Sequence, residues 1–596
     1  MLAATAWAAP SANGVNGTMS SETLTKNLSV KEIFQLFPVI IGPERSYYWL
    51  AIVYGIGISV LSLALPISVQ MLVNTIANTA LTAPLVVLSV TLLILLLSAG
   101  LLNALRIHLV DLFARRFYAR MVSEIALRSV FALNPFFHDY NNGSLFNRYF
   151  DILIVHKTMP NLLVGGFTTI LSLVFGFVLV SLYHPYFLAF VILLIFLVWL
   201  IWIIWGGRAI QSAVQVSHKK HATAAWLDGL GASNGFFKSD KHIDEALIRT
   251  DIVTSNYIDA HVRHFRHHFA QTLCFLVLYA CASAGLLGLG GWLVIQGELS
   301  LGQLVAAELV LSVAFFGLSQ LGTYLAYFYE LCAAIDELSL FYDVEQEEPI
   351  RNLPPFEGDG SVEFVKASGD ARGQFCTLNF SIPSSARVLG YAETHGVLRE
   401  ATNFLKRHNK PSTGYVALGG QDIMGIQAHE LRRHVIVLDR PNAIEMTIRE
   451  YLDLSTDGAA QSRVLAALKA VGLEPAIAKL DEGFETRISS TGWPLSITET
   501  MQLKLAAAII AEPKVLVLGE LFDTIPDAAL RRSLDLLQQA RTTVIYFSSR
   551  THDLGFDNYL YLGYDEQVVF DSYTEFCSML GTANFDSQGG ATAPAT

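Results

Sequence analysis

The stretch Arg387–Phe404, RVLGYAETHGVLREATNF, has the order of a phosphate-binding loop: a short apolar run, a glycine and a helical pattern. A loop of the type G-x-x-x-x-G-K-[ST] cradles phosphates on backbone N–H groups, meets the β- and γ-phosphates with its Lys and holds Mg²⁺ with its hydroxyl. Counted from Gly390, the second glycine falls on His395, the Lys on Gly396 and the hydroxyl on Val397. No lysine occurs between Lys366 and Lys406. The stretch therefore has the outline of the loop without the groups that do its chemistry. Two readings stay open: a dead site kept as a frame, or weak anion binding through His395, Arg399 and the helix N-terminus.

Other residue groups that can carry chemistry each admit a plainer reading. Glu308 lies in an apolar stretch, where a carboxylate can mark a substrate or proton path; it also sits close to Glu298, as an interfacial residue would. His261, His264, His267 and His268 have helical spacing suited either to a metal or to a partly charged interfacial face. Gly285, Gly288, Gly290 and Gly291 permit close helix packing. Tyr47, Tyr48 and Trp49 suit an aromatic anchor at a membrane interface. The cysteines, Cys274, Cys281, Cys332, Cys376 and Cys577, show no C-x-x-C spacing and suggest neither a disulfide framework nor a zinc site.

The elements around these residues fall into two halves. Mean hydropathy over the 596 residues is +0.43, and the apolar excess lies in the first half. The run Ser46–Leu105 holds no Asp, Glu, Lys or Arg. A membrane span needs about 20 apolar residues, so this run predicts two, near Tyr48–Leu72 and Pro84–Leu105, turning at Asn74–Thr82. A second uncharged run, Met159–Gly207, splits at His184–Pro185 into another pair. The fifth span follows Arg266 as far as Gly297, and the sixth lies near Leu301–Tyr327. The short connections after the first, third and fifth spans carry no Lys or Arg. The long stretches Arg106–Lys157 and Arg208–Arg266 carry many, which places both of them, and both termini, in the cytoplasm. They have helical apolar spacing and turn signals at Asn134-Pro135, Asn141-Asn142-Gly143, Gly229, Gly231 and Asn234-Gly235, so the spans are expected to continue as helices and turn there. A net charge of −12 argues against a nucleic-acid partner.

After the sixth span a mixed-charge helix, Tyr329–Asp343, is expected to lead into the acidic linker EQEEPIRNLPPFEGDG. Beyond Val362, strand-like runs at Val435–Leu438, Val515–Leu518, Thr543–Phe547 and Tyr559–Leu562 alternate with helical patterns at Ser462–Val471, Thr498–Ala511 and Ala528–Ala540. That alternation predicts an α/β domain with a largely parallel sheet. The fold class is thus a multi-domain membrane protein: a six-helix transmembrane domain followed by an α/β domain of the cassette ATPase kind. The expected boundaries are a disordered tail over 1–30, the membrane domain over 31–340, a linker over 341–361, the α/β domain over 362–580 and a second tail over 581–596.

Roughly residues 30–580 resemble a half-transporter of the ATP-binding cassette (ABC) exporter family. In the membrane half, LPISVQMLVN (Leu65–Asn74) resembles the end of the family's first span, and FFHDYNNGSLFNRYFD (Phe136–Asp151) its first coupling segment. In the second half, TIREYL (Thr447–Leu452) is similar to T-I-R-E-N-I, and FETRISSTGWPLS (Phe484–Ser496) to the stretch before the signature. AAAIIAEPKVLVLGE (Ala506–Glu520) resembles the signature helix running into the Walker B strand. By this resemblance the signature L-S-G-G-Q falls on Leu495, Ser496, Ile497, Thr498 and Glu499. The Walker B Asp falls on Gly519, the Q-loop Gln on Asp439 and the switch His on Ser549, while Glu520 keeps the general-base position. The resemblance implies a degenerate nucleotide-binding domain, because phosphoryl transfer depends on such electrostatic groups acting together.

No ATP or Mg²⁺ is expected to be held by this chain alone, only weakly or through a partner subunit, and no metal site is expected. The family implies a multi-pass protein of the cell membrane, the inner membrane in a Gram-negative cell. It implies a dimer, here a heterodimer with an ATPase-competent half, for peptide, protein or lipid-like substrates, with a periplasmic adaptor as a further partner. The alternatives are a pseudo-ATPase membrane scaffold or regulator, and a self-sufficient exporter with unconventional ATP contacts.

Overall fold

The computed structural model describes residues 29–78, 82–133, 142–347, 355–370, 373–455, 461–550 and 553–580. The expected tails apart from Ser29 and Val30, the turn signal at Asn134-Pro135, Asn141 and part of the turn at Asn74–Thr82 lie outside the described residues. The chain divides into two units, Met1–Glu347 and Glu348–Thr596.

The first unit is helical: α1 (Val30–Ile40), α2 (Arg45–Ser62), α3 (Ala64–Asn78), α4 (Thr82–Val130), α5 (Asp151–Pro160), α6 (Phe167–Ser181), α7 (Pro185–Ala232), α8 (Asp240–Ile295) and α9 (Leu301–Ser339). Among the described residues, six of its helical stretches are long and apolar enough to cross a membrane. The first expected span is two helices rather than one. Pro66 has no N–H to give Ser62, and the turn opens at Leu63 between α2 and α3. The expected separate helix Tyr329–Asp343 is instead the end of α9, which starts from a Ser300–Gln303 capping box and runs unbroken to Ser339. The apolar window of this sixth span is 47% buried and that of the second span 0%, so α9 is the central helix of the unit.

Small residues let the other helices reach α9. A Cβ on Gly317 would stand 2.6 Å from Thr169, and one on Gly322 2.6 Å from Thr272. The long polar stretches extend the spans as helices, as α4, α7 and α8 show. Several of their buried charges are paired between helices. Arg148 Nε lies 2.7 Å from Glu337 Oε2, and His218 Nε2 2.8 Å from Asp336 Oδ2. Asp151 accepts from Lys220 Nζ at 2.7 Å and meets His221 Nε2 at 2.5 Å. The Arg-x-x-Asp element of the first long stretch thus ties α5 to α7 and α9.

The second unit holds β1 (Val362–Asp370), β2 (Phe375–Ile382), β3 (Arg387–Ala392), α10 (His395–Leu405), β4 (Thr413–Leu418), β5 (Gln421–Asp422), α11 (Ala428–His434) and β6 (Val435–Leu438). It continues with β7 (Met446–Thr447), α12 (Ile448–Asp453), α13 (Gln461–Val471), α14 (Glu474–Ile477), β8 (Arg487–Ile488), α15 (Ile497–Ala511) and β9 (Val515–Leu518). It closes with α16 (Asp527–Gln539), β10 (Thr543–Phe547), β11 (Asn558–Leu562) and β12 (Gln567–Phe570). A six-stranded sheet runs β12-β11-β3-β10-β9-β6, parallel from β11 to β6. An antiparallel four-stranded sheet, β2-β1-β4-β5, lies beside it. One core joins that sheet to Val397, Phe404, Val517 and Ile545, and the other packs α13, α15 and α16 against Leu516, Leu518 and Val544. The parallel order sets the C-terminal ends of β3, β6, β9 and β10 along one edge, where ligands of open α/β sheets bind.

Candidate nucleotide site

At that edge, β3 does not stop at Gly390. Tyr391 and Ala392 stay in the sheet opposite Tyr561 and Leu562. Glu393 N continues the pattern by donating to Leu562 O at 3.0 Å, so only Glu393 and Thr394 separate strand from helix. The backbone that would wrap a phosphate is instead engaged with β11. Gly390 is needed for packing, since a Cβ there would lie 2.8 Å from the Phe547 ring. Gly396 is buried, and Val397, at the hydroxyl position, is 0% exposed in the core with Phe404. His395 is exposed at the first turn of α10. Thr394 is its N-cap but makes no capping bond, and its buried Oγ1 has no hydrogen-bond partner.

The signature positions begin α15 differently. Ser496 and Glu499 form a capping box: Glu499 N donates to Ser496 Oγ at 3.3 Å, and Ser496 N and Oγ each donate to Glu499 Oε2 at 2.8 Å. The helix N-terminus therefore faces its own carboxylate. Ile497 is 63% exposed, Thr498 is half-buried, and Leu495 turns into the core. A branched side chain stands where a glycine would let backbone meet a ligand.

Gly519 follows β9 and donates to Leu438 O at 2.9 Å, which brings it beside Asp439. Asp439 and Glu520 are both exposed. Behind Asp439, Lys504 Nζ donates to Arg440 O at 2.6 Å and Asn442 O at 2.5 Å, pinning the segment that leaves β6. Burial pulls the Lys504 ammonium below the usual lysine range against the opposing pull of Asp439, and burial does the same to Lys406.

Sequence reasoning missed the centre of this edge, Asp523. Its carboxylate accepts from Ser548 Oγ at 2.7 Å, Ser549 N at 3.0 Å, Ser549 Oγ at 2.9 Å and the Tyr546 hydroxyl. Arg550 closes the knot by donating to Asp523 O at 2.8 Å and Ile525 O at 2.6 Å. Burial and the Asp523 carboxylate both push the Tyr546 hydroxyl pKa up. Ser549, at the switch position, is thus part of a fixed joint between the ends of β9 and β10. The clue was Y-F-S-S-R following a G-E-L-F-D segment, but only the parallel β9–β10 pairing brings them together.

These residues can make hydrogen bonds among themselves and offer an exposed carboxylate at Glu520. They do not fit a Mg–nucleotide. No oxygen-bearing side chain stands at 396, 397 or 519, and the carboxylate at 499 already caps a helix. Elsewhere, His264 Nδ1 lies 3.0 Å from Ser212 Oγ and His268 Nε2 2.9 Å from Gly322 O, both rings edge-on to Tyr329. Among the described residues no group of His, Cys, Asp or Glu is arranged to hold a metal ion. Glu308 Oε1 accepts from Ser312 Oγ at 3.1 Å, and Glu298 meets His184 at 3.0 Å.

Residues 48–226 match the family described as the ABC transporter transmembrane region. The structure is similar to that of a bacterial Atm1-family ABC exporter with ATP bound, at a TM-score of 0.76 and 19% identity, covering 93% of this chain and 99% of that one. The chain has the ABC exporter fold. By sequence, the chain is similar to leukotoxin translocation ATP-binding protein LktB of Mannheimia glucosida, 27% identical over 268 residues, which are 44% of the chain and 38% of that protein. The LktB proteins of Mannheimia haemolytica and Bibersteinia trehalosi match to the same extent. The chain thus spans well under two thirds of the length of these relatives, and the 19% identity to the solved exporter carries the fold alone.

Proposed function

We propose that this chain is a degenerate half-subunit of an ABC exporter, lending its spans to a transport path while an ATPase-competent partner half supplies turnover. The observation that carries this reading is the strand–helix junction after Gly390. Its backbone is paired with β11, and a core valine sits where the Mg²⁺-holding hydroxyl belongs. The capped, carboxylate-bearing start of α15 supports the same reading for the signature side. Glu520 is then a general-base carboxylate with nothing to act on. The assembly is a heterodimer in the inner membrane of a Gram-negative cell, with both termini cytoplasmic as the basic long stretches require. The name of the similar LktB proteins, leukotoxin translocation ATP-binding protein, favours a peptide or protein substrate, and a periplasmic adaptor is the further partner of this reading.

The test is ATP turnover and nucleotide affinity of the purified chain, alone and co-expressed with an intact six-span half. The chain alone is expected to show no Mg-dependent turnover, and the mixed dimer is expected to show it. Robust turnover by the chain alone, abolished by Glu520→Gln, would instead identify a self-sufficient exporter. Purification only as a homodimer would remove the heterodimer.

A further inference from the structure

Among the described residues of the first unit, the buried Arg148 meets Glu337 and the buried Asp151 meets Lys220 and His221, whereas the buried Arg106 meets no carboxylate. Arg106, on α4, is 3% exposed. Its guanidinium donates to Thr168 Oγ1 and, at 2.8 Å, to Asn103 Oδ1, both neutral. Its Nε is buried with no hydrogen-bond partner. The helices packed around it, α2 through Gly55 and α6 through Phe167 and Leu171, carry no Asp or Glu. A guanidinium stays charged in proteins, and a buried charge without a counter-charge is strongly unfavourable.

The surroundings describe what would balance it. Arg106 is the first charge after the run Ser46–Leu105, so it stands where apolar chain gives way to polar chain. Thr168 and Asn103, which the guanidinium meets, are half-buried, and the apolar Phe167 and Leu171 lie with it against Gly55 of α2. Immediately before Phe167, residues Asn161–Gly166 form a π-helix, a distortion often found at functional sites. A Cβ on Gly165 would stand 2.5 Å from the Tyr324 ring of α9, so this irregular turn also touches the central helix.

We infer that Arg106, with Asn103 and Thr168, binds the anionic phosphate of an amphiphile, a phospholipid headgroup whose chain lies along Phe167 and Leu171. The guanidinium fork suits phosphate, and the site does not depend on whether the second unit hydrolyses ATP. The purified full chain in neutral detergent is titrated with phosphatidylglycerol, phosphatidylcholine or inorganic phosphate, and its thermal midpoint is read. Phosphatidylglycerol is expected to raise the midpoint by about 2–5 °C, and the other two to leave it unchanged. Arg106→Met is expected to lose that rise and to start from a higher midpoint without lipid. Arg115→Gln, which alters an exposed arginine paired with Asp111, is expected to keep the rise. The same rise in Arg106→Met, or none in the unaltered chain, overturns the site. An equal rise with inorganic phosphate overturns the lipid. Should Arg106→Met not fold, Arg106→Lys decides, because it keeps the charge without the fork: a smaller rise supports the site and an unchanged rise overturns it.

Discussion

Two helices of the second unit begin where a cassette would meet phosphate, and they begin in opposite ways. At α15, the capping box satisfies the N–H groups of Ser496 and Glu499 and places a carboxylate on the positive end of the helix. At α10, Thr394 makes no cap bond, its hydroxyl oxygen is buried without a partner, and His395 stands exposed at the tip. One start is closed against anions by the chain's own charge. The other carries no lysine at 396, follows its strand after two residues and has an N-terminus without a side-chain cap. The two helix starts thus differ in what meets their terminal N–H groups, a side-chain carboxylate at α15 and no side chain at α10.

The largest expected effect comes from the joint beneath α10. Ser548 N donates to Gly390 O at 3.2 Å, so the Asp523 knot holds the strand that leads into that helix. Asp523→Ala leaves Ser548, Ser549 and Tyr546 without their acceptor and is expected to cost about 2–3 kcal/mol in unfolding of the purified chain. An unchanged unfolding midpoint would show that the joint contributes nothing.

Next in size, the two caps should separate cleanly. Ser496→Ala removes a working cap and is expected to cost about 1 kcal/mol. Thr394→Ala removes a hydroxyl that makes no bond and is expected to stay within about 0.5 kcal/mol of the unaltered chain. Equal losses, measured by thermal unfolding side by side, would break the distinction between the two helix starts. Lys504→Met tests the neighbouring segment. It frees the Arg440 and Asn442 carbonyls and is expected to cost about 1–2 kcal/mol, with protease sensitivity appearing near 440–443. The smallest effect is on turnover. Gly396→Lys combined with Val397→Thr restores the loop's side chains but not its backbone or the α15 cap, and ATP hydrolysis by the chain alone is expected to remain at background.

Much of the fold was legible in the chain. Charge-free runs gave the spans because a hydrocarbon layer tolerates no unpaired charge, and the runs at 435–438, 515–518 and 543–547 became β6, β9 and β10 at those residues. Two details came only from the structure. Pro66 breaks the first span into α2 and α3, and the residues after Tyr329 continue α9, with Asp336 and Glu337 buried against His218 and Arg148, partners far away in sequence.

At the candidate site, residue types alone determined which groups are missing at 396, 397, 497, 498 and 519, since no fold can supply a side chain the chain does not carry. Tertiary structure decided what the substitutes do. Glu499 reads as a charge facing a phosphate and turns out to cap its own helix. Ser549 reads as a lost histidine and turns out to serve Asp523. Arg106 reads as one of many basic residues after a span and turns out to be buried without a counter-charge among the described residues. Sequence determines what a residue can donate or accept, and only the packing of distant elements determines whether a partner, water or nothing is there to meet it.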